Sequence, residues 1–429
     1  MNKAWMKLDN AAKIYPLVES DFLTTVFRFR ITLDITVNPE VLLTALNKVI
    51  RRFPYYKVTL KKGFFWFYLE KNENEFQVYE DNEIPCRRMI KTETSGYLFR
   101  VLYQKKTIAV EFNHIIADGS ACLIFLNTLV AEYLRLEGID VGINEWVKDL
   151  NAPVNDNEYE DSHSLLGKKY FKTHNKKIPD VKDVFHIKDH VISRDLYLVT
   201  NGICDSNELY HTAKKYNSSI TEFLTALYLE SLFEIQLEQV KKKRKHKPVS
   251  IQVPINMRRK LNSESMRNFS LFITPYLLPN SNYSFAEIIK IVAKYFAEKT
   301  ELDNLLSLIV QNYKTERAIF VRILPLFLKS LVTPLIYKAV GADTYSGTLS
   351  NIGLIKLPTE LEKHVKRLDF TLGPCPITKS LCAVVGYKDK IFISFGRNIK
   401  AASVERKFFR KMVQLGIKVT IEKYGGDRE

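Results

Sequence analysis

The chain has 429 residues, 46% of them hydrophobic and 26% charged, which is typical of a globular protein with two domains. Its five cysteines are scattered and never form a C-x-x-C pair, so neither a disulfide framework nor a zinc site is indicated. The N-terminus has no apolar signal segment, and we expect a cytoplasmic protein. The net charge of +16 favours anionic partners, and nucleic acid, an anionic membrane and a phosphorylated cofactor all stay open.

The first part of the chain predicts alternating strands and helices. Asn38, followed by Pro39 and Glu40, is typical of a helix N-terminus. The elements expected here are a strand over 24–37, a helix over 38–53, a hairpin over 55–71 broken at 61–63, a second hairpin over 97–114 turning at 104–106, and a largely buried helix over 121–134.

An acidic, Asn-rich stretch over 136–164 is interpreted as a long connection between two halves, residues 1–178 and 179–429. The second half predicts a strand-like alternation over 183–199, helices over 206–217 and 218–243, and a strand over 248–259. Ser219 or Thr221 caps the longer helix, with Glu222 in its first turn. The basic run 241–247 is interpreted as a solvated turn rather than a binding tail.

Residues 318–340 are apolar and about long enough to span a bilayer. The segment also holds charged residues and prolines, which are costly in a membrane span: Arg322, Pro325, Lys329, Pro334 and Lys338. A buried or interfacial helix pair is therefore favoured over a span, and a peripheral membrane contact stays open.

The stretch VEFNHIIADG suggests a catalytic histidine. Its period-two pattern places His114 on the same strand face as Val110 and Phe112, where desolvation would keep the imidazole neutral and able to accept a proton. The alternative is a core histidine, with Asp118 as a helix N-cap. No nucleotide-binding motif, nucleophile elbow or metal motif is present, and His186 and His190 carry little weight as metal ligands.

The letters NHIIADG resemble the H-H-x-x-x-D-G signature of the chloramphenicol acetyltransferase-like superfamily, which includes condensation domains and bacterial alcohol acetyltransferases. The resemblance implies that His114 is the general base and that Asn113 replaces the first histidine. It also implies that Asp118 and Gly119 maintain the structure of the turn that follows His114. The opening LDNAAKIYP is similar to the start of the alcohol acetyltransferase-type members.

Three further stretches carry the resemblance across the chain. QVPINMRRKL places Arg258 where the family has an arginine paired with an aspartate, and either Asp118 or Asp369 is a candidate partner. MRNFS places Asn268 at the following turn. LSNIG and LDFTLGP match the family's C-terminal region at four positions: Ser350, Asp369, Phe370 and Gly373.

The resemblance implies a mixed α/β (α+β) fold, with two similar domains and a tunnel at their interface. It also implies transfer from acyl-CoA as co-substrate, without a metal, to a hydroxyl of a small or lipophilic alcohol, with Ser350 and Asn351 as oxyanion or substrate contacts. The alternatives are a condensation-type enzyme fed by an acyl carrier protein and a non-catalytic binding protein. We expect a monomer that does not bind nucleic acid.

Overall fold

The computed structural model describes residues 5–82, 84–179, 181–193, 196–279, 282–336 and 342–424. The strands are β1 (Trp5–Lys7), β2 (Val26–Leu33), β3 (Val58–Lys62), β4 (Phe67–Lys71), β5 (Val78–Glu80), β6 (Phe99–Gln104), β7 (Thr107–Asn113), β8 (Leu198–Asp205), β9 (Val249–Asn256), β10 (Ser270–Ile273), β11 (Tyr276–Leu277), β12 (Gly347–Ile355), β13 (Val365–Leu372), β14 (Ser380–Tyr387), β15 (Lys390–Arg397) and β16 (Thr420–Tyr424). The helices are α1 (Tyr15–Val18), α2 (Pro39–Arg52), α3 (Gly119–Leu136), α4 (Ser162–Tyr170), α5 (Ser206–Lys215), α6 (Ile220–Gln239), α7 (Arg258–Leu261), α8 (Phe285–Lys299), α9 (Leu302–Arg317), α10 (Ile319–Ile323), α11 (Leu326–Ile336), α12 (Thr359–His364) and α13 (Ser403–Gln414).

The N-terminal lobe is built on a sheet in the order β13-β2-β7-β6-β5. Helices α2 and α3 pack against each other, and both contribute to the buried core of this lobe. Asn38 caps α2 by accepting the backbone N–H of Glu40 at 2.9 Å, as predicted. Strand β13 comes from the second half of the chain and pairs antiparallel with β2.

The C-terminal lobe is built on a sheet in the order β10-β9-β12-β14-β15-β8-β16, with β11 also pairing with β9. Helices α8 and α13 pack on the long helix α6, and residues of all three belong to the core of this lobe. Ser219 and Glu222 form a capping box at the start of α6, so Ser219 rather than Thr221 is the cap. A separate sheet, β1-β4-β3, carries the first predicted hairpin.

Most of the predicted elements are confirmed, and one is wrong. The strand-like alternation over 183–199 does not form a strand before Leu198, apart from an isolated bridge between Val191 and Ile399. Arg194 and Asp195 lie outside the described residues. The apolar side chains of Val184, Phe185 and Ile187 are buried although their backbone is irregular. Tertiary packing therefore overrides the preference for a strand that the alternating sequence pattern indicates.

The described part of the apolar segment 318–340 forms a pair of helices, as predicted. Helix α10 ends two residues before Pro325, and α11 begins directly after this proline. Pro334 lies within α11, and residues 337–341, including Lys338, are outside the described part. Within the described residues, one helix, α3, is long and apolar enough to cross a membrane. However, 72% of this 18-residue helix is buried inside the protein. This burial is that of a core helix.

A buried ion pair fastens the long connection to the N-terminal lobe. Arg52 donates from both terminal nitrogens to Glu158, at 2.6 and 2.7 Å, and the hydroxyl of Tyr55 donates to the same carboxylate at 3.0 Å. Burial opposes ionisation of Glu158, but the hydrogen bonds from Arg52 and the charge of Lys148 prevail, and the pKa of Glu158 lies below its ordinary value.

We predict that Glu158→Ala lowers the free energy of unfolding by about 3 kcal/mol, because it leaves the Arg52 guanidinium buried without its partner. Chemical denaturation at neutral pH measures this change. Because the folded pKa of Glu158 is lowered, its contribution is complete above about pH 4.5 and declines as the pH falls through the folded value. Glu360→Ala breaks the exposed pair with Lys363 and should cost less than about 1 kcal/mol. Equal losses in the two variants would contradict the prediction.

Candidate active site

A cavity of about 230 Å³ lies between the two lobes and contains the predicted histidine. Its walls come from both sheets, and it is bounded by β2, β13 and the turn after β7 on one side and by β9, β10 and β12 on the other. Most of the area of its lining is apolar, and polar side chains are interspersed among the apolar ones, including Ser120, Gln252, Asn256, Thr348, Ser350 and Asn351. A concave, mainly apolar cavity with polar groups in its wall is typical of a small-molecule site.

His114 follows β7 directly, and its ring packs between two aromatic side chains. The backbone N–H of His114 donates to the carbonyl of Thr25 at 2.8 Å. The ring centroid is 4.4 Å from that of Phe27 and 5.4 Å from that of Tyr15. Burial lowers the pKa of His114 below its ordinary value of 6.5, although the Asn268 hydrogen bond and the Asp118 charge oppose the shift. The imidazole is therefore neutral at pH 7.

Asn268 determines which nitrogen of His114 carries the proton. The amide nitrogen of Asn268 donates to the carbonyl of His114 at 2.8 Å and to the carboxylate of Asp9 at 3.1 Å, and both of these groups are acceptors. The amide oxygen therefore faces Nδ1 of His114, 3.4 Å away, and Nδ1 is the donor. This assignment leaves Nε2 unprotonated and able to act as a base.

Asp9 is a buried residue of this network for which sequence reasoning gave no role. It is fully buried, accepts the backbone N–H of Ala12 at 2.7 Å and lies 3.5 Å from the guanidinium of Arg267. Burial raises the pKa of Asp9, with Arg267 and Asn268 opposing the shift. The only sequence signal was its position in the LDNAAKIYP stretch, which aligns the start of the chain with the resembled family.

Asn113, which stands where the resembled family has its first histidine, is fully bonded into the N-terminal lobe. Its amide oxygen accepts from the hydroxyl of Thr25 at 2.9 Å and from the backbone N–H of Ile115 at 3.0 Å. Its amide nitrogen donates to Glu19 at 2.9 Å. Asn113 therefore stabilises the backbone on both sides of His114, and the substitution leaves no unpaired polar group at this position.

The structure resolves which aspartate binds Arg258. Nη1 of Arg258 donates to Asp118 at 2.7 Å, and the same carboxylate oxygen accepts the backbone N–H of Phe269 at 2.9 Å. The other oxygen of Asp118 caps α3 by accepting the N–H of Ala121 at 3.3 Å. Asp118 thus holds the turn after His114 against the C-terminal lobe and does not contact the histidine ring through a hydrogen bond.

Asp369 is part of a different ion pair, within the N-terminal sheet. It accepts from Arg30 at 2.8 Å and from Arg367 at 2.7 Å, on β2 and β13 respectively.

Two of the predicted motif residues are glycines that line the cavity and closely approach neighbouring atoms. A Cβ at Gly373 would clash with the carbonyl of Val26, and one at Gly119 would lie 3.0 Å from the side chain of Ile352.

Ser350 and Asn351, on β12, line the cavity on the side of the C-terminal lobe. The amide nitrogen of Asn351 donates to the hydroxyl of Thr221 at 3.0 Å, and its amide oxygen accepts the N–H of Gly353 at 2.9 Å. Ser350 is buried and precedes this fixed side chain. These two residues are the predicted oxyanion or substrate contacts, and that role stays a prediction.

In the part of the chain that the structure describes, no group of three or more His, Cys, Asp or Glu side chains is arranged to hold a metal ion. His186 lies 3.8 Å from Asp343 rather than beside His190 in a ligand set.

Comparison of the sequence with protein-family models and with curated proteins finds no match. Solved structures do match over nearly the whole chain. Polyketide synthase associated protein 5 from Mycobacterium tuberculosis superposes with a TM-score of 0.62 at 13% identity, covering 97% of this chain and 99% of that one. The chain adopts the two-lobed chloramphenicol acetyltransferase-like fold. The predicted fold class is thereby confirmed.

Two other structures of this fold are named for a ligand or an activity. The starter condensation domain of rhizomide synthetase, solved with C8-CoA and Leu-SNAC, has a TM-score of 0.62 at 11% identity and covers 96% of this chain and 94% of that one. Trichothecene 15-O-acetyltransferase from Fusarium sporotrichioides has a TM-score of 0.59 at 11% identity, with the same two coverages. At these identities the comparison establishes only the fold, and the activity has to be argued from the residues of the site.

We predict that His114 titrates below pH 6.5, because burial disfavours the imidazolium. The proton resonances of the ring, assigned with a His114→Gln variant, measure the midpoint by NMR. Removing the Asn268 contact with Asn268→Ala should lower the midpoint further, since that hydrogen bond raises the pKa. A wild-type midpoint at or above 6.5 would contradict the assignment of a neutral base.

Proposed function

We propose that the protein is a CoA-dependent O-acyltransferase that moves an acyl group to the hydroxyl of a small or lipophilic alcohol. The observation that carries the proposal is the position of His114 in the cavity between the lobes, with Nδ1 facing the amide oxygen of Asn268 and with burial lowering the pKa of the ring. The fold shared with an O-acetyltransferase and with a condensation domain solved with C8-CoA supports the reaction class.

The proposed reaction needs one base and one oxyanion donor. Nε2 of His114 removes the proton of the acceptor hydroxyl as its oxygen attacks the thioester carbonyl. Ser350 and the backbone around it stabilise the tetrahedral oxyanion. The intermediate collapses by breaking the carbon–sulfur bond, and the imidazolium returns the proton to the departing CoA thiolate. The products are an ester and free CoA, and no covalent enzyme intermediate is formed.

The cavity lining supports a lipophilic acceptor. Most of the area of its wall is apolar, with contributions from Val18, Leu23, Phe272, Leu372 and Leu381. Binding of a lipophilic acceptor is favoured because its hydrocarbon leaves water for this apolar wall. The polar groups orient the reacting hydroxyl. It also excludes water, which would otherwise compete with the acceptor for the thioester.

We predict that His114→Ala lowers acyl transfer by about 10²- to 10⁴-fold, because it removes the general base. Release of free thiol from acetyl-CoA and longer acyl-CoAs over an alcohol and amine panel measures the rate. His211→Ala, which changes an exposed histidine on α5, should keep the wild-type rate. Full activity of a folded His114→Ala variant would contradict the proposed mechanism, whereas the absence of transfer by the wild type with every donor and acceptor would favour a binding protein of the same fold.

We predict that acyl-CoA is a better donor than the same acyl group on a carrier protein, since the net charge of +16 attracts the CoA polyanion. Two measurements test this. The specificity constant for acyl-CoA should fall as salt screens this attraction, whereas that for an uncharged N-acetylcysteamine thioester should not. Faster transfer from the carrier-bound group would assign the protein to the condensation-type alternative instead.

A further inference from the structure

The described part of the chain carries an exposed apolar surface outside the lining of the active-site cavity. It is made by the tip of the β3–β4 hairpin and by helices α10 and α11, and we call it the hairpin–helix surface. Its large apolar side chains are between 42% and 75% exposed: Phe64, Phe65, Ile319, Ile323, Phe327, Leu331 and Val332. Single exposed apolar residues are ordinary, but a cluster of this kind marks an interaction site.

Specific contacts make the hairpin tip and α11 one rigid unit. The backbone N–H of Leu326 donates to the carbonyl of Phe64 at 2.8 Å, and Nζ of Lys329 donates to the carbonyl of Phe65 at 2.7 Å. The ammonium of Lys329 also lies 3.6 Å from the centroid of the Trp66 ring. Lys329 is buried beneath the helix, whereas Phe327 and Leu331, four residues apart, share its outer face.

A basic and aromatic cavity of about 630 Å³ adjoins this surface. Its aromatic walls are Trp5, Trp66, Phe67 and Tyr68. Its charged walls are Lys7, Lys13, Arg317 and Arg322 against Glu70 and Glu316, so cations prevail. Arg322 is exposed directly beside Ile323 of the apolar surface. Apolar side chains bordered by Trp, Tyr and basic residues are the pattern of a protein that lies in the membrane–water interface.

The charge of the protein favours a bilayer over a second copy of the chain as the occupant. Two copies, each carrying +16, would repel one another at a face-to-face contact. Lys62 is exposed on the hairpin two residues before Phe64, which adds another cation next to the apolar tip. An anionic lipid surface would complement these cations while accepting the apolar side chains.

We propose that the hairpin–helix surface docks onto an anionic lipid bilayer, with its apolar side chains in the acyl boundary and a phospholipid phosphate in the adjoining basic cavity. This binding is independent of the proposed acyl transfer. Helix α11 packs on α1, whose residues Tyr15 and Val18 line the active-site cavity. If the proposed function holds, only the short helix α1 separates the membrane-bound helix α11 from the cavity of His114, so that a lipophilic alcohol dissolved in the bilayer is close to the active site.

Flotation with vesicles tests the proposal on the full chain without any acyl donor. We expect the protein to float with vesicles of equal parts phosphatidylglycerol and phosphatidylcholine about tenfold more than with phosphatidylcholine alone. A Phe64→Ser, Phe327→Ser, Leu331→Ser triple variant should lose about tenfold or more of this binding. A matched triple variant elsewhere on the surface should keep it: Leu165→Ser, Leu237→Ser and Val413→Ser, all at exposed apolar positions.

Charge reversal tests the electrostatic part. Lys62→Glu with Arg322→Glu should weaken binding to the anionic vesicles about tenfold, whereas Lys243→Glu with Arg244→Glu, in the basic run of 241–247, should not. Light scattering reports the oligomeric state of each variant. Three results would overturn the proposal: no flotation of the wild type, equal flotation of both triple variants, or a wild-type dimer that only the first triple variant dissociates.

Discussion

The ion pair between Asp118 and Arg258 is the contact on which the active site depends. Asp118 ends the turn after His114 in the N-terminal lobe, and Arg258 begins the short helix after β9 in the C-terminal lobe. Both side chains are largely buried, so each needs the other to offset the loss of hydration. Because Asp118 also caps α3, the pair fixes the helix, the turn and the opposite lobe at once.

The position of the histidine and its proton are controlled from different lobes. Thr25 and Asn113 hold the backbone of His114 within the N-terminal lobe. The proton on Nδ1 is set by Asn268, which belongs to the C-terminal lobe and is itself held by Asp9. A correctly placed base therefore requires the two lobes to be closed on each other, which also forms the cavity in which the base acts.

Local patterns predicted many of the helices and strands but were wrong over 183–199, and they left His114 open between a core histidine and a base until the family resemblance was added. The period-two stripe of β7 and the caps at Asn38 and Ser219 are properties of neighbouring residues, and the structure confirms the elements that they predict. Contacts between distant residues were not accessible in this way. Nothing near Asp9 or Glu19 in the chain indicates that they bind Asn268 and Asn113, and the choice between two aspartates for Arg258 depended on the packing of whole lobes.

The crossing of β13 into the N-terminal sheet has a consequence for how the chain folds during synthesis. β2 is complete within the first 33 residues, but its partner at the sheet edge is residues 365–372. Until the ribosome has delivered that segment, β2 carries an unpaired edge open to wrong pairing. The N-terminal lobe consequently cannot mature by itself, and its completion is a late, long-range event that also commits the second lobe to its place.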